Sequence, residues 1–326
     1  MVTGGAGYVG SKLVPKLLEA GYPVRVFDKL VYGDFALAGV LDRIELIKGD
    51  VKKPPANLMK GIFGIIHLAG FSTEPTAYYS PRHTDLVNHI GTEKLALLAK
   101  GADAERFIFG STASVYFTYN TPLRPSLSKE TEKVNPISPY SISKYAAEEL
   151  LMEVADRNFK PIIFRKGTIY GFSPKMRYDL VVNSFVKDAF SRKVIFVHSG
   201  GEIYRPMLDI EDAVTAYLAA MELPLDQIGA RIFNVATKNW QIGELAEAIA
   251  KILRKHNLCQ PKIDVQSSGI TRNYLMNCSR FKKFFRLTPE RSLEEAVLEI
   301  WRQLEGGHNF QDRRFYTDLW HKKFIS

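Results

Sequence analysis

Thr3 to Gly10 reads TGGAGYVG, and its glycines Gly4, Gly7 and Gly10 recur at every third residue. Nothing else in the 326 residues constrains the fold as much. The stretch follows a short apolar stub, Met1-Val2, and precedes SKLVPKLLEAG, a helical segment that Gly21 closes as a C-cap. Strand, glycine turn and helix in that order make the phosphate-binding turn of a doubly wound sheet. The first glycine permits the tight turn, the second brings a pyrophosphate to the main chain, and the third lets helix and sheet pack closely. The helix start offers N–H groups and a positive dipole end to phosphates. Asp28 closes the next apolar run, Pro23 to Asp28, where a carboxylate accepts both ribose hydroxyls. That acid favours NAD over NADP because it repels a 2′-phosphate, and Lys29 beside it softens the preference. Only two residues precede the turn, so a start a few residues upstream is expected.

The same alternation continues. Ile44 to Asp50, Gly64 to Gly70, Arg106 to Ser111 and Lys160 to Gly167 read as further strands. They are apolar nearly throughout, as parallel strands covered on both faces should be. HTDLVNHIGTEKLALLAKGA and YSISKYAAEELLMEVADRN carry helical apolar spacing between them. The fold class expected is therefore α/β, a Rossmann-type doubly wound parallel sheet with a smaller mixed C-terminal lobe. Residues 1–168 are assigned to the dinucleotide domain, with 206–240 crossing back to it through a strand at Ala230 to Thr237. Residues 169–205 and 241–326 are assigned to a substrate lobe, with helices at Gly243 to His256 and after the capping box Ser292/Glu295.

Ligands of such sheets lie outside the carboxyl ends of the strands. Asp50 and Val51 end the third strand and are placed near adenine. Leu68, Ala69 and Gly70 end the fourth, where small residues let a dinucleotide pass. His67 reads as a strand residue. Asn88, a poor helix former inside a predicted helix, suggests a buried polar role.

A second constellation carries proton chemistry. Tyr140 and Lys144 stand four apart on one helix face, after the start signal Ser138-Pro139. A free phenol has a pKa of ~10. A neighbouring cation is expected to lower it and make Tyr140 a base toward a substrate hydroxyl. Thr112, and after it Ser114, end the fifth strand and offer hydroxyls to hold the reacting oxygen.

Composition narrows the class. Hydrophobic residues make up 46% and charged residues 24%, the balance of a globular chain with a large core. No run approaches the ~18 apolar residues of a membrane span, and the N-terminus lacks the pattern of a secretory signal. Two cysteines, Cys259 and Cys278, provide neither a disulfide framework nor a four-ligand zinc site, so a reducing, cytoplasmic setting and no metal are expected. Net charge is +9, and it is uneven: residues 251–326 carry 15 basic and 8 acidic residues. That bias suits anionic partners.

TGGAGYVG, VRVFD, KGDV, HLAG, VNHIGTEKL, FGSTASVY, SPYSISKYAAEE, FRKGTIYG and YRPMLDIEDA together resemble the extended short-chain dehydrogenase/reductase family, in its nucleotide-sugar epimerase/dehydratase branch. The resemblance covers almost the whole chain. It implies NAD as cofactor and a nucleoside-diphosphate sugar as substrate. It implies Thr112, Tyr140 and Lys144 as the catalytic set. It implies cofactor contacts at Tyr8, Val9, Asp28, Asp50, Val51, Leu68, Ala69 and Asn88, and Gly167 is counted with that cleft. Arg205 matches the arginine that holds the diphosphate, and Asn183 a residue whose region lines the nucleotide site. A homodimer through a four-helix bundle is implied, built on the helices carrying Asn88 and Tyr140.

Departures from the pattern separate the activities. Sugar 4,6-dehydratases carry Asp-Glu after the threonine, where this chain has Ala113 and Ser114, and decarboxylases carry Glu at the Ser114 position. Epimerases at C4 match best. Phe117 replaces a usual glycine, Thr168 a usual Asn, and Asp209 a usual His or Tyr, each near the expected substrate pocket. A reductase of a 4-keto-6-deoxy sugar would use the same residues in one direction. A third reading, a noncatalytic sensor or RNA-binding relative, rests on Arg313-Arg314 and Lys322-Lys323 interleaved with Phe315, Tyr316, Trp320 and Phe324. Anchoring of a C-terminal segment to the lobe explains those residues more simply, and no nucleic-acid partner is expected.

Overall fold

A computed structural model describes residues 1–117, 125–266, 273–318 and 320–321. Seven parallel strands form the central sheet: β1 (Val2–Thr3), β2 (Val24–Asp28), β3 (Ile44–Lys48), β4 (Gly64–His67), β5 (Arg106–Thr112), β6 (Ile162–Lys166) and β7 (Arg231–Val235). Their order is β7-β6-β5-β4-β1-β2-β3. The chain runs outward from β1 through β2 to β3, then returns to place β4 on the other side of β1. A crevice opens at that reversal, outside the carboxyl ends of β1 and β4.

Two residues suffice for β1 because it is bonded on both sides: Val2 pairs with Val26 and Ile66, Thr3 with Phe27 and His67. β4 and β5 are buried along their whole length, as their unbroken apolar runs require. β3 is a correction to that expectation. It is one of the two edge strands and mixes half-buried with exposed residues, because among the described residues nothing pairs with its outer side. β7 pairs in register with β6, Arg231 opposite Ile162, so the late strand does rejoin the sheet.

Helix α1 (Gly10–Glu19) buries Leu13, Val14 and Leu17 against the sheet and ends at Gly21, whose φ of 85° lets Tyr22 N–H reach back to Leu17 O. The helix expected around Asn88 is not uniform. A short turn at Pro81–Asp85 leads through one wide i→i+5 turn, Leu86–Ile90, into α2 (Gly91–Gly101). Asn88 sits in the wide turn, fully buried, and such turns often mark functional positions. α3 (Pro139–Glu153) begins with Pro139 at its first position and a capping box between Ser138 and Ser141.

Beyond β6 the chain builds a second layer. Tyr204–Asp209 pairs in parallel with Thr168–Tyr170 and antiparallel with Lys238–Gln241. The helices Val181–Arg192, Ile242–Lys255 and Leu293–Glu305 share a core that includes Val182, Phe185, Leu245, Ile249, Val297 and Ile300. Among the described residues no helix is long and apolar enough to cross a membrane.

One buried ion pair fixes α3 to the sheet. Arg165 on β6 grips Glu148 through Nη2–Oε2 at 2.7 Å and Nε–Oε2 at 3.0 Å, with both side chains almost wholly enclosed. Ser111 donates to the same carboxylate, and Arg165 also donates to Tyr116. Removing one partner strands a buried charge. Arg165→Ala should therefore cost about 3–5 kcal/mol in urea unfolding. Glu148→Gln leaves the Arg165 guanidinium buried without its counter-charge and should also destabilise the fold.

Candidate active site

The phosphate turn is shaped by close packing. Gly4 has φ 71°, and a Cβ there would lie 2.7 Å from Ala69 N; at Gly10 it would lie 2.3 Å from Gly4 O. Only glycine fits either position. Ala6 N–H and Leu30 N–H donate to the two oxygens of Asp28, at 3.0 and 2.7 Å. The acid thus ties the turn to the end of β2 while each oxygen keeps acceptor capacity. Lys29 is turned aside by an ion pair with Asp50 at 3.0 Å.

A cavity of about 620 Å³ opens over these strand ends. Gly4, Gly7, Tyr8, Val9, Gly10, Asp28, Lys29, Asp50, Val51, Leu68, Ala69 and Gly70 all line it. So do Thr112, Ser114, Tyr140, Gly167, Thr168 and Arg205. A dinucleotide fits this wall on structural grounds. The backbone at Gly4 and Gly10 admits no side chain, and Asp28 stands at the strand end with its carboxylate facing the same space. The residues that would hold it are those of the glycine turn, Asp28 and the Leu68–Gly70 strand end.

At the reacting end, Tyr140 lies beside the Thr112 hydroxyl, with which it hydrogen-bonds. Thr112 Oγ1 also accepts from Ser114 N–H at 3.1 Å, so its orientation is fixed. Ser114 Oγ lies 3.4 Å from the Tyr274 hydroxyl. Lys144 does not line the cavity. It sits one layer behind, donates to Gly110 O at 3.0 Å and lies 4.5 Å above the Phe109 ring. The expected lowering of the Tyr140 pKa is absent in the protein alone: burial pushes it up to about 12, against the Thr112 hydrogen bond. Lys144 is pushed down to about 7 by burial and by the neighbouring Lys166 ammonium. Both shifts have the same first cause, burial among protein atoms.

Four expected contacts stand behind the wall rather than in it. Asn88 accepts from Phe71 N–H and donates to Phe71 O and Ser143, so it holds the loop after β4. Asn183 donates to Tyr8 Oη and Arg177 O and accepts from Gly171 N–H, so it ties the glycine turn to the segment after Tyr170. Asp209 is fully buried, caps the helix Ile210–Glu222 through Glu211 N–H and pairs with Arg291 at 3.3 Å. Its place near substrate is corrected accordingly: the short strand before it turns the carboxylate toward the helix start. Lys144 is the fourth, as described. Arg205 stays on the cavity, its guanidinium 5.0 Å from the Tyr274 ring centroid.

Several cavity residues carried no sequence signal. Glu74, one turn into the segment after Gly70, is buried and its charge opposes ionisation of Tyr140. Lys166 follows the ion-paired Arg165 and is pushed down to about 8 by burial. Lys175 lies 3.7 Å above the Tyr32 ring, and Arg177 is held by Asp179 at 2.7 Å. Phe315 packs against Phe35, and Arg314 pairs with Asp312, so these residues anchor the chain end. Lys322, Lys323 and Phe324 lie outside the described residues.

Lys144, Lys166 and Lys175 share a consequence. Each binds its proton less tightly folded than unfolded, so the unfolded chain holds more protons between about pH 7 and 10. Stability of the ligand-free protein should then rise with pH from 7.5 to 9. Lys144→Met should flatten that slope by about 1 kcal/mol per pH unit, read from urea unfolding at each pH.

Comparison with known proteins agrees with this geometry. Residues 1–236 match the NAD dependent epimerase/dehydratase family. UDP-glucose 4-epimerase of Haemophilus influenzae is 24% identical over 332 residues, covering 92% of this chain and 96% of its own. UDP-glucuronic acid decarboxylase 1 of Arabidopsis thaliana is 33% identical over 264 residues, covering 78% of this chain, which spans 58% of that relative. The solved structure of UDP-glucose 4-epimerase from Thermotoga maritima with UDP-glucose superposes with a TM-score of 0.79 at 26% identity, covering 94% of this chain and 98% of that one. A glycine turn with its acid and a Tyr140–Lys144 helix, matched over most of the chain, leave one assignment: this protein belongs to the NAD dependent epimerase/dehydratase family, and NAD is its cofactor.

Proposed function

We propose that the protein epimerises a nucleoside-diphosphate sugar at C4 through a transient 4-keto sugar. One observation carries the reading. The Tyr140 and Thr112 hydroxyls share a pocket continuous with the glycine turn, and the two residues after Thr112 are Ala113 and Ser114 rather than acids. NAD, when bound, supplies a reversible hydride acceptor. Tyr140 takes the proton of the sugar O4 hydroxyl and later returns it. Thr112 holds that oxygen in line. Lys144, behind them, fixes the strand end at Gly110 and contributes positive charge when protonated. Arg205 grips the diphosphate bidentately. Residues 1–168 with 206–240 form the coenzyme domain in this reading, and 169–205 with 241–326 the substrate lobe. The exposed Leu97, Ile142 and Met152 on α2 and α3 make those helices the face for a second copy of the chain.

A decarboxylase reading is favoured by the relative at 33% identity, and the Glu74 carboxyl in the same cavity is compatible with acid chemistry. Proton NMR of purified protein with UDP-glucose, UDP-galactose and UDP-glucuronic acid separates the cases. Inversion at C4 with no net NADH change is expected, and Tyr140→Phe should lower turnover by at least about a hundredfold. Release of carbon dioxide, loss of water, or NADH consumed one for one with product would overturn the epimerase assignment.

A further inference from the structure

The end of the chain does more than anchor to the substrate lobe. After Phe315 and Tyr316, which pack into that lobe's core, it crosses to the coenzyme side. Asp318 accepts hydrogen bonds from the hydroxyls of Thr73 and Thr76, in the segment that follows the end of β4. Trp320 Nε1 donates to Val31 O at 2.7 Å, and His321 Nε2 lies 2.7 Å from the Tyr32 hydroxyl, both just beyond the end of β2. The His321 ring also packs on Phe71 with centroids 4.8 Å apart. Thr317, Asp318 and His321 line the same cavity as the glycine turn.

These contacts join the loops after β2 and β4. Those loops flank the strand ends where the glycine turn, Asp28 and Leu68–Gly70 face the cavity. We propose that Thr317, Asp318, Trp320 and His321 form a clasp over the coenzyme cleft, a further binding wall that must release Tyr32 and Thr76 before NAD enters or leaves. It suits a reaction in which the cofactor is regenerated each cycle and has no need to exchange. The proposal rests on the coenzyme reading of this cavity but not on which sugar reaction follows.

The test measures the cofactor rather than turnover. Bound NADH is displaced by excess NAD, and its dissociation is followed by stopped-flow fluorescence. Asp318→Ala removes the acceptor from the clasp, and Thr76→Val removes a donor from the opposite side. Each should speed dissociation about tenfold, the loss of one or two hydrogen bonds, and the double variant should add little to either. Thermal unfolding of the ligand-free variants, compared with the parent, separates loosening of the clasp from loss of the fold; should Asp318→Ala unfold, Trp320→Phe tests the other anchor. Rates unchanged within twofold in folded variants would overturn the clasp and leave the coenzyme assignment standing. Failure of the parent protein to bind NADH would overturn both.

Discussion

The structure depends on how closely α1 approaches the sheet. A side chain at Gly10 would meet Gly4 O at 2.3 Å, so the helix start and the β1 turn are in direct backbone contact. That contact brings the turn beneath the reversal of strand order between β1 and β4. Asp28 then braces the turn from β2 through Ala6 N–H, so turn, acid and crevice form one rigid unit. The cavity exists because this unit is narrow and backbone-lined.

The second constraint is electrostatic. Lys144, Lys166 and Lys175 are all held in places where burial disfavours their charge. Arg177 is also enclosed, with Asp179 as its partner. Lys166, Lys175 and Arg177 line the cavity, and a wall with these cations suits an anion. The raised Tyr140 and lowered Lys144 follow first from burial.

Rigidity and mobility are divided between the two sides of the site. Arg165 and Glu148 lock α3, and with it Tyr140, onto β5 and β6 through buried charge. On the outer side Asp318 accepts from the Thr73 and Thr76 hydroxyls, Trp320 donates to Val31 O, and His321 meets the Tyr32 hydroxyl. Such contacts open at far lower cost than a buried ion pair.

Local pattern determined much of this protein. The glycine spacing, the Asp28 strand end, the Ser138-Pro139 start of α3 and the Ser292/Glu295 box are decided by neighbours in the chain, because turns and caps are short-range. The strand runs likewise report burial, and they mislead only at β3, where an apolar run cannot say that its strand lies on an edge. What the tertiary structure decided is direction. Asn88, Asn183 and Asp209 have residue types suited to ligands, yet each is engaged by the protein's own backbone and side chains. Glu74, Lys166 and His321 show no motif and reach the cavity because crossovers and the returning chain end carry them there. Sequence spacing fixes which residues share a helix face or a turn; which of them meet across the crevice depends on contacts between residues far apart in the chain.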